Sequence, residues 1–459
     1  MNLRRWLTPG IGIKRWVLVA FAGLLLLALA AAHMIRQATQ DLEPGGVAQF
    51  ILDLVTFQFL PYPLRGFLVG LVGFSLFAFG SLRLLRALMA PFRTSADGDQ
   101  PLVEVIYQKR FLARGPKIVA IGGGTGLSML LRGLKEHTSN LTAVVTVADD
   151  GGSSGSLRTQ LGIPPVGDIR NCIAALADAE PLMSQLLQYR FPGSSGGDGG
   201  NASPEPPEAN GARLAEDGGL RGHAVGNLLI AALTAIENGD FEEGVRRMNR
   251  VLAVRGQVLP VSSTPLTLHA RLNSSEVIEG QSRVTLATGI DRVWLTPTEV
   301  AASEDAVAAI AEADLIVLGP GSLYTSLLPS LLLPQIRDAV IASPALRVYV
   351  CNVATQRGET AGYDLADHVE ALVSHTSPGI VDVVLANNRF SARVPASWTA
   401  EPVRLRWPPA GGQGPRLVLD EVVDPDNAHH HEPERLAASI VRLLEREGSR
   451  RRAGVARTA

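Results

Sequence analysis

Four short apolar runs in this chain each end abruptly in a glycine-rich or polar cluster. Ile118-Val119-Ala120-Ile121 leads into Gly122-Gly123-Gly124-Thr125-Gly126, and Ala143-Val144-Val145-Thr146-Val147 leads into Asp149-Asp150-Gly151-Gly152-Ser153-Ser154-Gly155. Leu315-Ile316-Val317-Leu318 precedes Gly319-Pro320-Gly321-Ser322, and Val348-Tyr349-Val350 precedes Cys351-Asn352-Val353-Ala354-Thr355-Gln356. Apolar runs without polar alternation mark strands covered on both faces, as in a parallel sheet. The carboxyl ends of such strands open onto the crevice where ligands bind, so the four clusters are expected to converge on one site, suited to phosphate.

At 459 residues the chain exceeds one average domain. With 42 Lys and Arg against 44 Asp and Glu, the formal net charge is -2, which gives no basic face for nucleic acid. Nucleic acid is therefore not an expected partner. Cys172 and Cys351 stand far apart, so neither a disulfide framework nor a structural zinc site is expected, in keeping with a reducing compartment.

Val17–Ile35 and Gly66–Leu82 are apolar runs long enough to cross a membrane. Arg4, Arg5, Lys14 and Arg15 precede the first, and Arg83, Arg86 and Arg93 follow the second. The positive-inside rule then predicts a multi-pass inner-membrane protein with two spans, its termini and main domain cytoplasmic. The expected organisation is a membrane anchor at 1–100, a linker at 101–116, an α/β domain at 117–447 and a basic tail at 448–459. Within the domain, 192–219 is rich in Gly, Ser, Pro and acidic residues and is expected to be a disordered insertion. Strand-like and helix-like segments alternate elsewhere, the pattern of a doubly wound, mostly parallel sheet. Between Val258 and Leu286, polar alternation predicts appended antiparallel strands.

The turn Gly122–Gly126 lacks Cβ atoms that would keep a diphosphate from the backbone, and a helix N-terminus follows it. Its spacing is G-x-G-x-G, not the dinucleotide G-x-G-x-x-G. Asp149 and Asp150 are placed to hold a ribose, orient a sugar or coordinate Mg²⁺, and Gly151, Gly152, Ser153 and Ser154 offer an anion nest. Asp168 reads either as the N-cap of the helix that follows or as a site residue. Arg170 and Asn171 lie in its first turn, where the helix dipole disfavours a cation, so Arg170 is expected to answer an anion. His223, with Asn227 after it, has no second His or Cys at metal-ligand spacing. In Gly319–Ser326, Tyr324 is expected to stack on a base or bond a phosphate. His429, His430 and His431 read as exposed.

The motifs Gly122–Leu127, Ala148–Gly155, Gly167–Asn171, Gly222-His223 with Gly226-Asn227, Gly319–Ser326 and Asn352–Thr360 occur in the order of the YvcK/CofD-like family, which this chain resembles from Lys117 to Asn388. The resemblance implies a Rossmann-like fold and a nucleotide site built from Gly122, Gly123, Gly124, Thr125, Gly126, Asp149, Asp150, Gly151, Gly152, Ser153, Ser154, Asp168, Arg170, Asn171, His223, Asn227, Gly319, Gly321, Ser322, Tyr324, Asn352 and Thr355. Its YvcK branch implies a non-catalytic protein that binds UDP-N-acetylglucosamine or a like nucleotide sugar and supports cell shape and peptidoglycan synthesis in gluconeogenic growth. Expected partners are cell-wall synthesis proteins and the membrane, and a homo-oligomer is compatible with the sequence. The CofD branch implies a Mg²⁺-dependent transferase that takes a phospholactyl-type group from a nucleoside-diphosphate-linked donor, with Asp149 and Asp150 on the metal. An NAD(P)-binding oxidoreductase is the third reading, resting on the glycine turn and Asp149.

Overall fold

The computed structural model describes residues 112–177, 181–192, 219–389, 400–408 and 414–458, and five isolated helical positions, Leu24, Ala28, Ser75, Phe77 and Phe79. The chain divides into two units, 1–110 and 111–459. Among the described residues no helix is long and apolar enough to cross a membrane, which corrects the expectation of a two-span inner-membrane protein. The segments assigned to those spans, 17–35 and 66–82, lie outside the described residues apart from the five positions named. The expected insertion 192–219 also lies outside them, save for Pro192 and Gly219.

In the second unit the first half of the fold runs β1 (Ile118–Gly122), α1 (Gly124–Leu134), β2 (Leu141–Val145), α2 (Gly152–Leu161), α3 (Gly167–Leu176), α4 (Pro181–Gln188), α5 (Val225–Ile236), α6 (Phe241–Val251) and β3 (Gln257–Pro260). A small layer follows with β4 (Thr267–Leu272), β5 (Val277–Glu279), α7 (Gln281–Leu286) and β6 (Ile290–Thr296). The second half contains α8 (Glu304–Ala311), β7 (Leu315–Leu318), a π-helix (Leu323–Leu327), α9 (Leu328–Leu331), α10 (Pro334–Ala342) and β8 (Leu346–Val350). It closes with α11 (Leu365–His375), β9 (Val383–Asn387), β10 (Arg416–Asp420) and α12 (Pro433–Thr458). The segment expected as a basic tail therefore carries the last turns of α12.

Every residue of β1, β2, β7 and β9 is buried, as their unbroken apolar runs require of strands sandwiched between helices. Helix α1 turns Leu127, Leu130, Leu131 and Leu134 inward, the spacing of one helical face. The main sheet is parallel throughout, in the order β10-β9-β8-β7-β1-β2-β3. From β1 the chain builds outward through β2 to β3, crosses back to β7 on the other side of β1, and builds outward again. That reversal leaves a crevice above the carboxyl ends of β1 and β7, where doubly wound sheets bind ligands. The antiparallel sheet β5-β4-β6 is inserted between the two halves, as the polar alternation predicts.

Candidate functional site

A cleft of about 380 Å³ opens at this reversal. Its walls include Gly123, Gly124, Thr125 and Gly126 after β1, Asp149 after β2, Asp168 on α3, Gly321 and Ser322 after β7, and Asn352 and Thr355 after β8. These are the residues that the strand-end argument brings together. Met129, Gln281, Pro320, Ser326, Ala354 and Gln356 also line it, as do His429, His430 and His431. Gly122, Asp150, Gly151, Gly152, Ser153, Ser154, Arg170, Asn171, His223, Asn227, Gly319 and Tyr324 do not.

The acidic side chains around the cleft share one local role. Helices α1, α2 and α7 begin after Gly123, Gly151 and Gly280, none of which has a side chain to cap the free N–H groups. Asp168 accepts from the Gly124 N–H at the start of α1. Asp149 accepts from the Gly151 N–H at 3.0 Å and from the Ser154 hydroxyl at the start of α2. Asp150 accepts from the Ser282 N–H at 2.9 Å and its hydroxyl at 2.6 Å, in the first turn of α7. Asp168 is thus not the N-cap of its own helix, which Val166 provides. Close packing explains the glycines: a Cβ on Gly126 would lie 2.4 Å from the Pro320 carbonyl oxygen.

Asp149 and Asp168 face the same cleft, and each carries an electrostatic cost there. Burial, then the Asp149 charge, pushes the Asp168 carboxyl up to about 7. Burial also raises Asp149, against the two hydrogen bonds that favour its ionised form. Two half-buried carboxylates of this kind suit a cation. Asp150 accepts from Ser282 and does not line the cleft, so of the expected Asp149–Asp150 pair only Asp149 faces it, beside Asp168. Among the described residues no group of three or more His, Cys, Asp or Glu gathers for a metal, so any bound cation would need ligand or water oxygens as well.

Behind the cleft, Ser153 accepts from Asn227 Nδ2 at 3.0 Å and lies 3.1 Å from His223 Nδ1. All three are buried, and the Ser153 hydroxyl bonds both the amide and the imidazole. They lock α2 to α5 and do not reach the cleft. Arg170 is only 5% exposed, and its Nη2 donates to Asn171 Oδ1 at 3.0 Å. Burial, then Arg190, lowers its pKa to about 10. Tyr324 is 2% exposed and its hydroxyl bonds that of Tyr363 at 2.8 Å. It belongs to the core, which corrects its expected role on a base or phosphate.

The loops after β7 and β8 are tied together. Asn352 Oδ1 accepts from the Gly321 N–H at 3.1 Å while Asn352 Nδ2 donates to the Gly321 carbonyl at 2.9 Å. Gln356 Nε2 donates to Ser322 Oγ at 2.6 Å. The histidine run is a wall of the site, not an exposed tract. His431 is buried with Nε2 3.2 Å from the Cys351 carbonyl, and burial lowers its pKa to about 4. Sequence reasoning missed it because only the chain's return through β10 brings it beside β8.

A profile of the CofD family, described as 2-phospho-L-lactate transferase CofD, matches residues 118–404. The gluconeogenesis factor of Bacillus subtilis is 43% identical over 340 residues, covering 73% of this chain and 100% of that protein. A relative from Nostoc is 41% identical over 452 residues, covering 95% of this chain and 92% of its own length. A crystal structure of a Bacillus halodurans protein matches with a TM-score of 0.62 at 41% identity, over 72% of this chain and 99% of that one.

Proposed function

We propose, from the premise that the chain belongs to the CofD family, that its cleft binds a nucleoside-diphosphate-linked ligand, a UDP-sugar of the UDP-N-acetylglucosamine kind. In this reading the protein is a regulatory binding protein that supports cell shape and peptidoglycan synthesis during gluconeogenic growth, with wall-synthesis proteins as partners. The observation that carries the ligand class is the cleft itself, set at the strand reversal between glycine-rich turns and holding the Asp149 and Asp168 carboxylates. A diphosphate has the same sign of charge as those carboxylates. Mg²⁺ held by Asp149 and Asp168 would neutralise both and offer its remaining positions to phosphate oxygens. The name of the Bacillus subtilis relative, gluconeogenesis factor, supports the growth-linked part of the reading.

A Mg²⁺-dependent transferase with a phospholactyl-type donor is the second reading, favoured by the same carboxylate pair and by the family description. Calorimetric titration of the full chain with UDP-N-acetylglucosamine, GDP and NAD, each with and without Mg²⁺, separates the readings. Binding of UDP-N-acetylglucosamine that tightens with Mg²⁺ is the expected result. Preference for GDP would turn the assignment to the transferase, and binding of NAD alone would overturn both.

A further inference from the structure

The N-terminus of the π-helix is capped by a residue from a different loop. Ser322 precedes that helix but makes no cap bond of its own. Instead Glu359, 1% exposed, accepts from the Tyr324 N–H at 3.0 Å and the Thr325 hydroxyl at 2.8 Å. It also accepts from the Thr325 N–H and the Ser322 hydroxyl. Four donors on one buried carboxylate satisfy the free N–H groups of the helix start and fix the segment that leads into it. Glu359 does not line the cleft, but Gly321, Ser322 and Ser326 of that segment do.

We infer that Glu359 is a positioning residue for the cleft, its ionised carboxylate holding the Gly321–Ser326 wall in the conformation that takes the diphosphate ligand. This deepens the proposed ligand assignment and rests on it. A protonated carboxyl carries its own donor hydrogen and cannot accept from all four partners, so the wall loosens when Glu359 gains a proton. Burial sets that point at about 7 despite the hydrogen bonds that oppose it. The neighbouring titratable groups are Tyr324 on the π-helix, Tyr363 bonded to it, His375 on α11 with its ring 5.6 Å from Tyr324, and Asp291 on β6. Burial raises Tyr324, which keeps its proton throughout this range, and burial lowers His375. At the cleft, whose wall also carries His429, His430 and His431, protonation of Asp168 makes the site less negative. In the absence of metal that favours an anion, the opposite direction to the effect of Glu359.

The test is a titration of the full-length parent, Glu359→Gln and Thr325→Val with UDP-N-acetylglucosamine between pH 6 and 8.5 in metal-free buffer, read as affinity ratios so that shared titrations cancel. Glu359→Gln mimics the protonated form. It should bind about tenfold more weakly than the parent at pH 8.5, the effect of one lost bond to a charged acceptor, and nearly equally at pH 6. Thr325→Val removes a donor that keeps Glu359 ionised, so the acid limb of its profile should move to higher pH. A ratio independent of pH, or parent-like affinity in Glu359→Gln at pH 8.5, would overturn the inference. If Glu359→Gln does not fold, an unmoved limb in Thr325→Val overturns it instead. Failure of the parent to bind the probe with or without Mg²⁺ overturns the ligand assignment, and the inference with it.

Discussion

Gly124 and Asp168 join α1 to α3: the Gly124 N–H donates to the Asp168 carboxylate, and a Cβ on Gly124 would lie 2.4 Å from Asp168 Oδ1 and 2.6 Å from its Cα. The glycine makes room for another helix before it makes room for a ligand. Gly124→Val is therefore expected to destabilise the fold, by on the order of 1–3 kcal/mol, as overpacked contacts do. Urea unfolding measures it. An unchanged midpoint together with lost ligand binding would put the phosphate, and not α3, against this position.

Asp168 gives stability a definite pH dependence. Its folded pKa of about 7 lies above the ordinary aspartate value of 3.8, so between those values the folded state keeps a proton that the unfolded chain has released. Stability then falls as pH rises through this window and levels off above it. Asp168→Asn keeps an acceptor for the Gly124 N–H and removes the titration. It should flatten the slope between about pH 4 and 7 and, at pH 8, raise stability by roughly 1–3 kcal/mol, the range reduced because the carboxylate keeps a face on the cleft. Glu359 contributes a slope of the same sign that remains in the variant. Urea midpoints across this pH range test the claim, and a steeper slope in the variant would contradict it.

The sheet is legible in the sequence because apolar runs such as Ile118–Ile121 and Leu315–Leu318 have no polar alternation, and the clusters after them mark strand ends. The caps are not legible. Asp168, Asp150 and Glu359 each close a helix that belongs to a different part of the chain, and local capping rules look only at adjacent residues. Asp149 and Asp150 look equivalent as neighbours, yet the first faces the cleft and the second is taken up by Ser282. His431 likewise carries no signal of its own, because its partner is the carbonyl of Cys351 across the fold.

Tyr324 separates a packing role from a binding one. Its hydroxyl meets only Tyr363 among the contacts given by the structure, and its ring packs edge-on to Tyr363 and His375. Tyr324→Phe should lower stability by about 1 kcal/mol, the worth of one buried hydrogen bond, and leave nucleotide affinity unchanged. Thermal unfolding and a binding titration on the same preparation read both quantities. A selective loss of affinity would return this tyrosine to the ligand.

The paired acids at the end of β2 make the most direct test of which carboxylates serve the ligand. Asp149 lines the cleft with Asp168, whereas Asp150 is bound by the Ser282 N–H and hydroxyl. Asp149→Asn should weaken Mg²⁺-dependent nucleotide binding roughly tenfold, since an amide replaces a charged ligand to the cation. Asp150→Asn should leave that dependence intact and lower stability by about 1 kcal/mol, because a neutral acceptor still caps α7 but without the charge. Titration of both variants against nucleotide at fixed and zero Mg²⁺ gives the comparison, with urea midpoints as the control for folding. If Asp150→Asn lost the Mg²⁺ response and Asp149→Asn kept it, the cation would lie on the α7 side of the turn, and the assignment of Asp149 with Asp168 would be wrong.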